Sequence, residues 1–354
     1  MSDRAVRSIL VVRLSALGDI AMASPVVDAL RGRYPQARIA WLVQPEGAPL
    51  LAGHPAIDEV IVWSRGDWRR WLRTGRWVRL AREFAVLRRR LRAQRFDLSI
   101  DLQGLLKSGV WGWLAGARER IGLGSREGSA RLMTRVVPRA GEHAELSSEY
   151  RHLCRELGLA DPGYRLHVAP AAADREAAGQ RLRAHGIEGD FVVLCPFTTR
   201  PQKHWFERRW SELAQALHAR DARPIVILGG PGDRAAAARI RESGDTPIVD
   251  LAGTTGIGEA AAIIARAAVV VGVDTGLTHV ALAFERPTVA LFGSTLPYAR
   301  TGRANVHILY HALPCSPCRR HPTCGGAFAC MRTLRVPEVM DAVARVDGRT
   351  AELP

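Results

Sequence analysis

The feature that most restricts this chain is a rhythm that runs twice. Short, continuously apolar runs alternate with helix-length segments, first over residues 7–102 and again over 191–293. Strands are expected at 7–13, 37–43, 58–63 and 96–102, then at 191–197, 222–230, 246–253, 267–273 and 286–293. Runs such as AAVVVGV show almost no apolar–polar alternation, the pattern of a parallel sheet covered by helices on both faces. FDLSIDL (96–102) does alternate. Residues 158–190 break the rhythm with Gly, Pro and Ala and one short helix candidate, which marks a linker. Two successive βαβ sets predict an α/β protein with two Rossmann-like domains facing across a cleft. The expected boundaries are 1–165 and 190–335, with a linker at 166–189 and a closing helix in 336–354; 354 residues suit two such domains.

The first strand runs into LVVRLSALGDIAMASP (10–25), with Arg13 cutting the apolar run short. The expected local structure is a tight turn at Gly18 and a helix from Asp19 onward. A phosphate-gripping loop would carry several glycines here, as G-x-G-x-x-G or G-x-x-x-x-G-K-[ST]. Instead a carboxylate stands at the helix N-terminus. That suits the helix dipole but repels a phosphate. Asp19 either caps the helix or does chemistry at the carboxyl end of the strand.

Anion-binding chemistry appears in the second half. PFTTRPQKHW (196–205) follows that half's first strand, and open α/β sheets bind ligands at strand carboxyl ends. Thr198, Thr199 and Lys203 offer two short donors and a compact positive charge, a set suited to a diphosphate. An ordinary polar loop has the same composition. VVVGVDTGLTHVALAF (269–284) places Asp274, Thr275 and Gly276 where a buried strand gives way to a helix, with Thr278 and His279 in the first turn. The free N–H groups of such a turn form an anion site. Asp274 and Thr275 also suit plain capping, and His279 a satisfied core position.

Together with LSALGD and DLQGLLKSG (101–109), these motifs resemble glycosyltransferase family 9, the ADP-heptose:lipopolysaccharide heptosyltransferases, over most of the chain and in order. T-T-R-x-x-K-H-W is most like the type I members, which add the first heptose to the Kdo-lipid A core. The resemblance implies a GT-B fold with the acceptor on the N-terminal domain and the ADP-sugar on the C-terminal one. It also implies inversion at the anomeric carbon, with no catalytic metal or other cofactor. By that resemblance Thr198, Thr199 and Lys203 contact the diphosphate and sugar, and Asp274, Thr275, Gly276, Leu277 and His279 line the phosphate and heptose side. Asp233 matches an acidic position that binds a ribose hydroxyl, where the family often has Glu, and adenine lies near Ala252 to Thr255. Asp19 falls at the position of the base that deprotonates the acceptor hydroxyl. Another core acceptor (a second or third heptose) or another nucleotide-sugar donor stays open as an alternative.

The formal charge of +15 calls for a polyanionic partner: nucleic acid, an anionic membrane surface or a phosphorylated substrate. A nucleic-acid-binding protein is the rival of another class, but no helix-turn-helix, RNP or zinc-finger pattern accompanies the charge. The missing G-x-G-x-x-G argues against a dehydrogenase. With 47% apolar residues, no signal segment and no bilayer-length run, the expected place is the cytoplasm, peripheral on the inner membrane. Residues 63–95 hold twelve arginines and four tryptophans. Trp77, Leu80, Phe84, Leu87 and Leu91 form a helical stripe expected to pack on the core, while Trp63 to Arg76 is expected to meet anionic lipid. Cys315, Cys318, Cys324 and Cys330 form a C-x2-C-x5-C-x5-C run, read either as free thiols or as a structural metal site. Cys154 and Cys195 read as isolated core residues.

Overall fold

The computed structural model describes residues 6–163, 165–318 and 321–348. It separates into two compact units, one comprising Met1–Glu142 and Ser147–Ala169, the other His143–Leu146 and Pro170–Pro354.

The first unit carries six parallel strands, β1 (Ser8–Val12), β2 (Arg38–Val43), β3 (Glu59–Val62), β4 (Leu98–Asp101), β5 (Glu119–Leu123) and β6 (Arg135–Val137), in spatial order β3-β2-β1-β4-β5-β6. The side chains of β1 alternate between two cores. Ile9 and Val11 join Val27, Leu30 and Tyr150 on one face, while Leu10 and Val12 join Leu91, Phe96 and Trp111 on the other. These four of the five β1 residues are fully buried, which explains the absence of alternation. Each contributes roughly 1.5–3 kcal/mol of transfer free energy.

The second unit repeats this plan. Its strands are β7 (Val192–Cys195), β8 (Ile225–Ile227), β9 (Ile248–Asp250), β10 (Val269–Val273), β11 (Thr288–Phe292) and β12 (Val306–Tyr310), in order β12-β11-β10-β7-β8-β9. Read from β9, this is the strand order of the first unit. In both sheets the order reverses beside the first strand, so a crevice opens at the carboxyl ends of β1 and β4, and of β7 and β10.

Several local expectations are corrected. The helix after β1 runs Leu17–Ala23, so Gly18 lies inside its first turn rather than in a tight turn before it. Three strands escaped notice, β5, β6 and β12, because they are short, arginine-bearing or half-exposed. The stretch 166–189 is built into both units. Gly53 and Ala169 share backbone bonds with their neighbours in the first unit, and the helix Ala172–Ala184 packs on Ile257–Ile264 in the second. Val336–Asp347 is a helix of the second unit; residues 349–354 lie outside the described residues.

The Trp/Arg-rich segment reverses its expected roles. Trp63 and Trp71, expected at a lipid surface, are buried, whereas Trp77 is 60% exposed and Phe84 37%. Of the expected stripe on helix Trp77–Ala93, only Leu87 and Leu91 are fully inside. Edge-to-face and tilted ring contacts explain the burial. Trp63, Trp68, Phe84 and Trp111 pack at centroid separations of 5.2 to 6.1 Å, and Arg79 lies 4.6 Å over Trp71. Among the described residues no helix is long and apolar enough to cross a membrane.

Candidate active site

In the second unit the loops after β7 and β10 converge on one carboxylate. Asp274 Oδ2 accepts from Lys203 Nζ at 2.5 Å and from Thr295 Oγ1 at 2.5 Å, while Oδ1 lies 3.3 Å from His279 Nε2. Thr198 Oγ1 donates to the Asp274 carbonyl at 3.4 Å, and His204 Nε2 holds the Thr198 carbonyl at 2.8 Å. Burial would raise the pKa of Asp274, but His279 and then Lys203 outweigh it and hold the carboxyl well below the usual carboxylate range. Tyr298 completes the cluster, its hydroxyl 2.7 Å from His279 Nδ1. Burial, then the charge of Asp274, push its phenol well above its ordinary value, so the hydroxyl stays protonated and shares a hydrogen bond with the imidazole.

Two of these partners were not anticipated. Thr295 and Tyr298 lie in the loop after β11, whose GSTLPY sequence carries a polar strand end but no spacing that ties it to Asp274. Of the anticipated residues, Lys203, Asp274, His279 and the hydroxyl of Thr198 meet directly. Thr199 is exposed at the loop surface. Thr275 is the N-cap of helix Gly276–Ala283 yet makes no side-chain capping bond, so the plain capping reading does not describe it. Gly276 and Leu277 are the first residues of that helix and are half-buried. Asp233 is occupied locally: one carboxylate oxygen accepts from Gly230 N–H at 2.8 Å and closes the 231–233 turn. In the 252–255 stretch Ala252 is buried, and the Thr255 hydroxyl is buried without a partner.

In the first unit Asp19 stands in the first turn of helix Leu17–Ala23. Its Oδ2 accepts from Ala16 N–H at 3.2 Å and pairs with Arg13 Nη2 at 2.6 Å. Capping is therefore part of its role. Its side chain is nevertheless 54% exposed, against 7% for Arg13. Arg13 is anchored from behind, donating through Nη1 to the Leu102 carbonyl at 3.0 Å, and Gln103 Oε1 accepts from Leu14 N–H at 3.0 Å. The DLQG turn after β4 thus braces the turn after β1. Asp101 shapes it, accepting from Gln103 N–H and Gly104 N–H at 3.0 Å and from Ser108 Oγ at 2.9 Å. Gly104 (φ +67°) is required there, since a Cβ would lie 2.2 Å from the Leu123 carbonyl.

Among the described residues one group of metal-ligating side chains comes together. Asp28, His54 and His167 bring one donor atom each within 4.8 Å of one another. The two rings are tilted at 40° with centroids 4.0 Å apart. His167 Nδ1 pairs with Asp28 at 3.1 Å, while burial and then His167 push His54 down to about 4. Among the described residues no three of Cys315, Cys318, Cys324 and Cys330 converge to coordination distance. Cys330 is buried and the other three are partly exposed.

Two parallel six-stranded units of this strand order have the GT-B architecture of the solved heptosyltransferases. Residues 84–326 match the model of glycosyltransferase family 9 (heptosyltransferase), and the chain belongs to that family. It is a glycosyltransferase. Lipopolysaccharide heptosyltransferase 1 of Pseudomonas aeruginosa is 32% identical over 88% of this chain and 85% of its own length. Among solved structures, the Escherichia coli heptosyltransferase WaaC with ADP-2-deoxy-2-fluoro heptose has a TM-score of 0.71 and 25% identity, covering 94% of this chain and 98% of that one. The glycosyl transferase family 9 protein of Veillonella parvula shares the fold, with a TM-score of 0.79 at 21% identity over 97% and 98% of the two chains.

Proposed function

We propose that this enzyme transfers heptose from ADP-heptose to the Kdo-lipid A inner core of lipopolysaccharide, inverting the anomeric centre, with the donor on the second unit and the acceptor on the first. The observation that carries the reading is the Lys203–Asp274–His279 cluster beside a free helix N-terminus, in a chain similar to an enzyme that binds an ADP-heptose analogue.

In this reading the diphosphate takes the remaining ammonium donors of Lys203, the hydroxyls of Thr198, Thr199 and Thr275, and the first N–H groups of helix Gly276–Ala283, starting at Gly276 and Leu277. Asp274 keeps the ammonium and His279 in place, with His279 toward the heptose. These fixed donors meet the charge that develops on the leaving diphosphate, so no metal ion is invoked. Asp233 offers its second carboxylate oxygen to the ribose. Asp19 takes the proton from the acceptor hydroxyl as that oxygen attacks the anomeric carbon opposite the diphosphate. Of the carboxylates at these strand ends, Asp19 is open to solvent and Asp274 is not.

The enzyme works at the cytoplasmic face of the inner membrane. Support comes from the exposed Trp77, Val78 and Leu72 beside Arg69, Arg70 and Arg73, apolar and cationic groups of the kind that settle at an anionic lipid interface. Incubating the purified protein with ADP-heptose and Kdo-lipid A tests the function. The expected result is one added heptose of inverted anomeric configuration by NMR and mass spectrometry. Transfer only to an acceptor that already carries heptose would replace this acceptor with a later one.

A further inference from the structure

Both contacts of the Asp19 carboxylate fall on the same oxygen. Ala16 N–H donates to Oδ2 at 3.2 Å, and Arg13 Nη2 pairs with Oδ2 at 2.6 Å. Among the described residues Oδ1 forms no hydrogen bond or ion pair, and the side chain is 54% exposed. One oxygen is fixed and the other is bare.

The group that does the fixing is itself held on every side. Arg13 N–H donates to the Leu42 carbonyl at 3.3 Å, and Trp41 Nε1 donates to the Arg13 carbonyl at 3.2 Å. The guanidinium works as a fork: Nη2 holds Asp19 while Nη1 donates to the Leu102 carbonyl at 3.0 Å. A second arginine braces the same turn. Arg139 Nη2 donates to the Leu102 and Gln103 carbonyls at 3.4 and 3.0 Å, and its Nη1 pairs with Glu149 on helix Ser148–Glu156. Two guanidiniums thus meet at one carbonyl, which like charges resist unless each is paired with an acid. Stability alone does not account for this arrangement. The ion pair Arg223–Asp347 has both side chains nearly out of solvent, at 5% and 4% exposure, whereas Arg13 buries its cation to hold an acid that stays in the open. Desolvating a guanidinium for an exposed carboxylate gains little, because solvent screens the pair.

We propose that Arg13 is the positioning residue for the base, holding Oδ2 of Asp19 so that Oδ1 receives the acceptor's proton, with Arg139 and Glu149 bracing the turn on which Arg13 rests. This rests on the reading of Asp19 as the base. The accepting oxygen must lie within hydrogen-bond reach of the hydroxyl at the moment of attack, and a carboxylate free to rotate spends little time there. Arg13 and the Ala16 N–H remove that freedom at one oxygen and leave the other's lone pairs untouched. The acceptor oxygen then bonds to the anomeric carbon, the bond to the diphosphate breaks, and the hydroxyl proton passes to Oδ1.

The test makes Arg13→Met, which keeps the apolar stem and loses the fork, in both wild type and Asp19→Asn. Single-turnover transfer from ADP-heptose to Kdo-lipid A is measured for all four proteins. Arg13→Met alone is expected to slow transfer by roughly 10- to 100-fold, the cost of misplacing a reacting group by about 1 Å, with ADP-heptose affinity unchanged by calorimetry. In the Asp19→Asn background the same substitution is expected to change the rate by less than about twofold, because no base remains to be aimed. Equal losses in both backgrounds would make Arg13 structural and overturn the proposal, as would a wild-type rate for folded Arg13→Met. Glu149→Gln, at a side chain 32% exposed, serves where Arg13→Met does not fold. It is expected to slow transfer by roughly two- to fivefold in wild type and not in Asp19→Asn. No loss, or the same loss in both, overturns the proposal here too. Wild-type turnover by Asp19→Asn would remove the base reading and this proposal with it, whereas a slow Asp19→Asn beside a normal Arg13→Met removes the proposal alone.

Discussion

Two aspartates stand at the carboxyl ends of central strands, one in each unit, and their surroundings assign them different work. Asp274 has 12% of its side chain exposed and accepts from Lys203, Thr295 and His279. Its lone pairs are largely taken, and it stays ionised through the whole working range. Asp19 leaves 54% of its side chain to solvent and has two partners, Arg13 and the Ala16 N–H. A proton acceptor needs a free lone pair and access to substrate; a group that fixes a neighbouring ammonium needs neither. In the proposed mechanism the same residue type in the same kind of turn is a base in one unit and a clamp in the other, a division that follows their exposure, 54% for Asp19 and 12% for Asp274.

That contrast is open to breakage at several points. The largest expected effect is on Asp19→Asn, which keeps the shape and most of the capping. Its kcat should fall by about 10²–10⁴ under conditions where chemistry limits the rate, measured by single-turnover transfer on protein whose fold is verified by circular dichroism. Wild-type turnover would return Asp19 to a capping role. Lys203→Ala comes next. It removes a diphosphate partner and strands Asp274 in a nearly buried place, so kcat/KM for ADP-heptose should fall by about 10²–10³. A smaller loss, about fivefold in ADP-heptose affinity, is expected for Tyr298→Phe, which deletes the hydroxyl hydrogen-bonded to His279 Nδ1. Calorimetric titration checks it, and a variant that lowers only thermal stability would make Tyr298 purely structural. The smallest effect is an expected zero: turnover should survive EDTA, since Lys203, the threonines and the helix N-terminus are assigned to the leaving group. Activity lost to the chelator and restored by Mg²⁺ would contradict that.

How much of this was legible in the sequence depends on whether the interaction is local. The strands with fully buried residues, such as β1 and β10, announce themselves because nothing polar interrupts them. The edge strand β6 does not, since two of its three residues are exposed. Asp274, His279 and Lys203 were legible because strand ends in open α/β sheets are where ligands bind. Thr295 and Tyr298 reach the same cluster only through the sheet's tertiary order, twenty-one and twenty-four residues along the chain. Arg13 was visible as a break in an apolar run, but its partners Asp19 and Leu102 were not. The tryptophans were misplaced for a physical reason. Helix Arg65–Arg73 and helix Trp77–Ala93 pack on each other and on Leu106–Ala115, and that packing, rather than the stripe on one helix, chooses which aromatic faces turn inward.

The central claim, that the acid of the first unit reacts while the cluster of the second holds the donor, is tested most directly by one binding titration. ADP-heptose affinity is measured calorimetrically for wild-type, Asp19→Asn and Lys203→Ala without acceptor. The account predicts wild-type affinity for Asp19→Asn and at least tenfold weaker binding for Lys203→Ala. Donor binding weakened by Asp19→Asn and untouched by Lys203→Ala would contradict it.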